Sequence, residues 1–122
     1  MLKRKILIFL LFTGALTANA QASKICTFNI RFENPNDGIH QWENRKESVI
    51  NFIKVEDIDV VGMQEVLQSQ IQYLETNLPH YQRIGVGRDD GHAKGEYSPI
   101  FYKKSKYQLL DSGTFWLSTD RT

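Results

Sequence analysis

The apolar residues of this chain change their spacing from element to element, and the changes outline a fold. Lys24-Ile25-Cys26-Thr27-Phe28-Asn29-Ile30 is short and rich in strand formers, which predicts a β-strand carrying Asn29 near its end. Ile58-Asp59-Val60-Val61-Gly62-Met63-Gln64-Glu65 predicts a second, more uniformly apolar strand that ends on a carboxylate. Between them Trp42, Val49, Ile50 and Ile53 fall on one helical face, with Asn44 as the expected N-cap and Glu47 three residues later. A strand, helix, strand order predicts a right-handed parallel crossover, so both strand ends open on the same sheet edge. Asn29 and Glu65 are therefore expected to be neighbours in space.

The remaining elements follow from the same signals. Glu33 to Gly38 is dense in turn formers and reads as a loop. Leu67, Ile71, Leu74 and Leu78 recur at helical spacing after Glu65, and Pro79 ends that helix. Beyond it the pattern becomes extended over Tyr81 to Gly87, Tyr97 to Lys103 and Tyr107 to Leu117. Turns are expected at Arg88-Asp89-Asp90-Gly91 and Lys104-Ser105-Lys106. Pro99 predicts an edge or irregular position for the middle run, because proline has no N–H for the ladder. The fold class is α/β, with a mixed sheet and flanking helices.

The first residues are set apart from this fold. Lys3-Arg4-Lys5, the apolar run Ile6 to Leu16 and the small residues Ala18-Asn19-Ala20 form the pattern of a secretory signal peptide over residues 1–20. The run is shorter than the roughly 20 residues a membrane span needs. The mature chain, residues 21–122, is expected to be secreted or periplasmic, without a membrane span. Export also changes the charge: removing Lys3, Arg4 and Lys5 from the 15 basic residues leaves 12 against 14 acids. No basic field then advertises non-specific nucleic-acid binding, so charge does not indicate a nucleic-acid substrate. Cys26 is the only cysteine, which excludes an internal disulfide and suits a small apolar core residue.

The sheet edge suggests a chemistry. A hard divalent cation takes oxygen ligands, usually one or two carboxylates with waters and substrate phosphate oxygens. Glu65 fits as such a ligand. Asn29 beside it can offer its carbonyl to the metal and its NH₂ to a phosphoryl oxygen. By spacing alone the bland reading, a helix-entry acid and a strand-ending turn former, is the stronger one. Arg45 follows Trp42 at i, i+3 and is a candidate for holding the Asn29 edge or phosphate, or an ordinary solvated helix charge. Arg88, Asp89 and Glu96 lie in or beside a hairpin that would rim the cleft; they read first as solvated turn charges, with Arg88 and Glu96 as substrate-binding candidates by their position. His40, His80 and His92 stand alone among loop signals and read as surface residues.

Four blocks in order carry a resemblance: Thr27-Phe28-Asn29-Ile30-Arg31, Trp42-Glu43-Asn44-Arg45, Asp59-Val60-Val61-Gly62-Met63-Gln64-Glu65 and Gly95-Glu96-Tyr97-Ser98-Pro99-Ile100-Phe101-Tyr102. Together they resemble the N-terminal half of the endonuclease/exonuclease/phosphatase family, the DNase I-like metal-dependent phosphoesterases, in its secreted bacterial branch. Gly113-Thr114-Phe115-Trp116-Leu117-Ser118 looks like that branch's strand leading to the second half. The resemblance implies half of a four-layer α/β sandwich, with Glu65 matching the metal-binding glutamate and Asn29 the active-site asparagine. It implies Mg²⁺, with Mn²⁺ as the alternative, and hydrolysis of phosphodiester or phosphomonoester bonds by metal-activated water. The family's reaction also needs an Asp-x-Asn segment and a late Asp-His pair, and neither occurs in these 122 residues. The expectation is thus the N-terminal part of a secreted phosphoesterase whose C-terminal half, or a partner chain, supplies the rest. The alternative is a non-catalytic half-domain, a relic or a subunit, that docks on another chain through an exposed sheet.

Overall fold

Val60–Gln64 (β2) is the strand against which the other elements are arranged in the computed structural model, which describes residues 22–117. The expected signal peptide over 1–20 lies outside the described residues. Alternation along β2 buries Val61 and Met63 on one face and leaves Val60, Gly62 and Gln64 half-covered on the other. Ile25–Asn29 (β1) pairs with it in parallel, in register from Ile25↔Val60 to Asn29↔Gln64. Tyr81–Ile84 (β3) and Ile100–Lys103 (β4) pair antiparallel with each other, and β4 pairs antiparallel with β2. The order β1-β2-β4-β3 makes a mixed sheet.

Two helices cover the buried face. In Trp42–Val55 (α1), the crossover between β1 and β2, Trp42, Val49, Ile50 and Ile53 form one buried stripe. Gln68–Asn77 (α2) and its C-cap residue add Ile71, Leu74 and Leu78. These side chains form one cluster with Val61, Met63 and Phe101, and Cys26 and Phe28 pack against it half-buried. Trp42 and Tyr73 meet edge to face at 5.8 Å and join the helices. Each such aliphatic side chain stabilises the fold by about 1.5–3 kcal/mol on burial, more than the helices gain from intrinsic propensity. The opposite face carries Ile25, Thr27, Asn29, Val60, Gly62, Gln64 and Ile100. Among the described residues no helix or strand packs on it, and Ile25 is 75% exposed.

Two local expectations are corrected and one is narrowed. Gln41, not Asn44, caps α1, because a 3₁₀ turn over Pro35–His40 runs directly into the helix and brings its start forward to Trp42; Asn44 Nδ2 instead donates to Ile39 O at 3.1 Å. Of the two positions expected for Pro99 it takes the irregular one and not the edge: it sits buried just before the interior strand β4, where no ladder N–H is asked of it and its carbonyl accepts from Met63 N at 2.8 Å. Tyr107 to Leu117 forms no strand, since the run finds no ladder partner among the described residues, and Leu110, Phe115 and Leu117 stay exposed.

Candidate functional site

The parallel register fixes where the site lies. Asn29 stands opposite Gln64, so Glu65 is the first residue beyond the strand pair, at the C-terminal ends of β1 and β2. Both chains leave the sheet through left-handed backbone, with φ 60 at Arg31 and φ 58 at Glu65, an uncommon conformation for residues with a Cβ. The turn at Glu65 brings its carboxylate to Asn29, whose Nδ2 donates to Oε1 at 2.7 Å. Phe32 N donates to Oε2 at 3.4 Å, and the Arg31 guanidinium stands 3.9 Å from the same oxygen. Asn29 Oδ1 accepts from Arg31 N at 2.8 Å, so carboxylate on one side and N–H on the other fix the orientation of the amide.

Electrostatics follow this geometry. The Asn29 hydrogen bond, then the Phe32 N–H, Arg31 and Arg45, hold the Glu65 carboxyl below its usual value against partial desolvation. Glu65 is therefore an anion at neutral pH. Arg31 is itself steered by Asp37, which accepts from Nε and Nη2 at 3.0 Å each.

The other sequence candidates occupy two separate places. Arg45 reaches the Asn29 edge from α1, but its guanidinium donates to backbone: to Ile30 O, to Arg31 O at 3.0 Å and to His40 O at 2.5 Å. Arg88 and Glu96 pair with each other at 3.3 Å on the loop between β3 and β4. Bridges Val66↔Tyr97 and Gly87↔Tyr97 lay this loop beside the residue after Glu65. Gly87 is required there, since a Cβ would lie 2.3 Å from Lys94 O. Arg88, Glu96, Ser98 and Trp116 help line a cavity of about 370 Å³ next to that loop. His40, His80 and His92 are exposed, as expected.

Sequence reasoning missed Arg31, Asp37, the Phe32 N–H and Gln70. The last had a signal: Gln70 is the third residue of α2, the position from which a side chain reaches back to the cap, and its Oε1 accepts from Leu67 N at 2.9 Å. Nothing in spacing pointed to a backbone N–H at Phe32.

The donor set suits a hard cation held by few protein ligands. Among the described residues no group of three or more His, Cys, Asp or Glu could hold a metal. Mg²⁺ needs only one or two carboxylates and completes its shell with water and phosphate. Glu65 supplies one, with a side chain 32% exposed and lone pairs left over after its two donors. Asn29 retains one N–H and one carbonyl lone pair for a further partner.

No family model matches the chain. Solved structures do. An endonuclease/exonuclease/phosphatase from Bacteroides vulgatus is 56% identical, with a TM-score of 0.75, over 78% of this chain and 36% of its own. The mannosyl-6-phosphatase of Bacteroides thetaiotaomicron is 36% identical, with a TM-score of 0.77, over 80% of this chain and 38% of its own. A Ccr4 exoribonuclease subunit of the CCR4-Not complex from Phaeosphaeria nodorum is 32% identical over 107 residues, 80% of this chain and 18% of that protein. This chain thus spans little more than a third of the structures it matches, and its sheet, helices and sequence identify it as part of an endonuclease/exonuclease/phosphatase domain.

Proposed function

We propose that this chain carries the metal-binding edge of an exported phosphoesterase, with Glu65 as the metal-ligating carboxylate and Asn29 as its active-site partner. The observation that supports this reading most is the 2.7 Å hydrogen bond from Asn29 Nδ2 to Glu65 Oε1 across two parallel strand ends. Mg²⁺, or Mn²⁺, would supply Lewis-acid polarisation of a phosphoryl oxygen and a more acidic water. The protein's own part is orientation. Asn29 holds Glu65 in its anionic form and keeps one lone pair of the carboxylate engaged, so the remaining lone pairs face a cation from one side. The second N–H of Asn29 is free to donate to a phosphoryl oxygen, where charge grows in the transition state. Arg31, half-exposed beside Glu65, adds positive potential for an anionic ester.

Substrate class follows from the relatives as a proposal only. The mannosyl-6-phosphatase supports a phosphomonoester, the Ccr4 subunit a nucleic-acid phosphodiester, and the near-neutral charge favours the former. Arg88 and Glu96 on the neighbouring loop are proposed as substrate contacts. Export rests on the pattern of residues 1–20; among the described residues no helix is long and apolar enough to cross a membrane.

The test is hydrolysis of a sugar phosphate and of an oligonucleotide by the protein at its natural length, with Mg²⁺ and with EDTA. Activity should require metal and be lost in Glu65→Ala. Full activity in EDTA, or in Glu65→Ala, would overturn the reading, and no hydrolysis of either substrate with Mg²⁺ would overturn it in favour of the non-catalytic, docking alternative.

A further inference from the structure

The segment Ile30-Arg31-Phe32 is held from both sides, and its two sides do different things. Two of its N–H groups face the site, Arg31 N donating to Asn29 Oδ1 at 2.8 Å and Phe32 N to Glu65 Oε2 at 3.4 Å, while Ile30 N stays on Gln64 O at 3.3 Å. Its carbonyls face away, toward the helices. Arg45 of α1 donates through Nη1 to Ile30 O and through Nη2 to Arg31 O at 3.0 Å and Phe32 O at 3.5 Å. Its Nε donates to His40 O, which closes the fork onto the 3₁₀ turn before α1. From α2, Gln70 Nε2 donates to the same Arg31 O at 3.0 Å, while Oε1 accepts from Leu67 N. Gln70 is fully buried, and only one orientation of its amide satisfies both partners.

These contacts leave the Arg45 guanidinium directed at carbonyls rather than at an anion. A planar fork can serve several carbonyls at once, which an ammonium cannot. The strain also needs such support, because Arg31 sits at φ 60, a backbone state that persists only where its surroundings over-determine it.

We infer that Arg45 and Gln70 are positioning residues, a carbonyl clamp from two helices that fixes the Ile30–Phe32 backbone and through its N–H groups aims Asn29 and Glu65 at the metal. The inference rests on the reading of Glu65 as a metal ligand. Both side chains hydrogen-bond backbone groups rather than Asn29 or Glu65. Each acts through the segment, so losing either should loosen metal binding without changing the ligand set.

Arg45→Lys and Gln70→Met test this in the protein at its natural length, with Glu65→Gln as the reference. Arg45→Lys keeps the charge and loses the fork; Gln70→Met keeps the length and loses both polar ends. Mn²⁺ affinity, read from the electron paramagnetic resonance of free Mn²⁺, should fall about 10–100-fold in each, as for other partners that orient a ligand. The second readout is hydrogen exchange of the Asn29 side-chain amide and the Phe32 N–H, which should lose protection while the Val61 N–H in β2 keeps it. Wild-type affinity and protection in both variants, with binding lost in Glu65→Gln, would overturn the clamp alone. Wild-type affinity in Glu65→Gln would instead overturn the metal-site reading. Should both variants unfold, exchange in the wild type decides: a Phe32 N–H as protected as Val61 supports the clamp, and one exchanging at open-loop rates refutes it.

Discussion

Two acids flank β2, Asp59 before it and Glu65 after it, and they have opposite surroundings. Asp59 is buried and saturated. Lys103 Nζ donates to Oδ1 at 2.8 Å, Lys106 Nζ and the Lys24 N–H to Oδ2 at 3.0 Å each. Lys103 first, then the Lys24 N–H and Lys106, hold its carboxyl far below the usual range. Glu65 has one short bond from a neutral amide, one long one from a backbone N–H and a guanidinium at 3.9 Å. A carboxylate surrounded by ammonium groups fastens strands together; one held by an amide at a sheet end keeps capacity for a cation. The difference lies in the partners, since the two acids bracket the same strand, about 20 Å apart by the rise of a strand.

Exchanging the fates of the two acids is the strongest way to break this comparison. In the protein at its natural length, Glu65→Gln should cut the proposed metal-dependent hydrolysis by at least about 10²-fold while leaving the melting temperature close to wild type. Asp59→Asn should do the reverse, lowering the melting temperature markedly because Lys103 loses a buried partner, while the folded fraction keeps its metal affinity. Activity assays beside thermal melts separate the outcomes; equal losses of activity in both variants would erase the distinction. Next in size, Ile53→Ala removes a fully buried side chain of the helix-covered face and should cost about 2–5 kcal/mol in denaturant melts. It should leave Mn²⁺ affinity of the folded protein unchanged, as the site lies on the sheet's ends and not in that core.

Acid sharpens the contrast further. The folded Asp59 value is lowered, so its stabilisation is present above the unfolded value near 4 and lost as pH falls below it. Melting temperature should drop steeply with pH below about 4 in the wild type and less steeply in Asp59→Asn. The smallest effect concerns Glu65: Asn29→Ala removes the largest influence lowering its carboxyl, so the acid limb of Mn²⁺ binding should move to higher pH. A limb that stays in place would assign the lowering to Arg31 and Phe32 instead.

How much of this was legible depends on whether a contact leaves a periodic trace. The stripe of Trp42, Val49, Ile50 and Ile53 and the alternation in β2 did, and the parallel crossover they imply places Asn29 beside Glu65. Asp59 and Glu65 look alike in sequence, because the lysines that distinguish them come from β4 and the turn after it. Arg45 was legible as a residue near the edge, but its partners are carbonyls, which no side-chain pattern reports. Left-handed backbone at Arg31 and Glu65 was hidden for the same reason, since neither is the glycine that usually signals it. Tyr107 to Leu117 has strand-like composition but no ladder partner among the described residues, and composition alone does not make a ladder.

The most direct test of Glu65 as the metal-binding acid is paramagnetic broadening of backbone amide resonances by substoichiometric Mn²⁺. The account expects Asn29, Arg31, Phe32 and Glu65 to broaden first, with Asp59 and Lys103 at the other end of the sheet unaffected. Broadening centred on Asp59, or spread evenly over the surface acids, would contradict it.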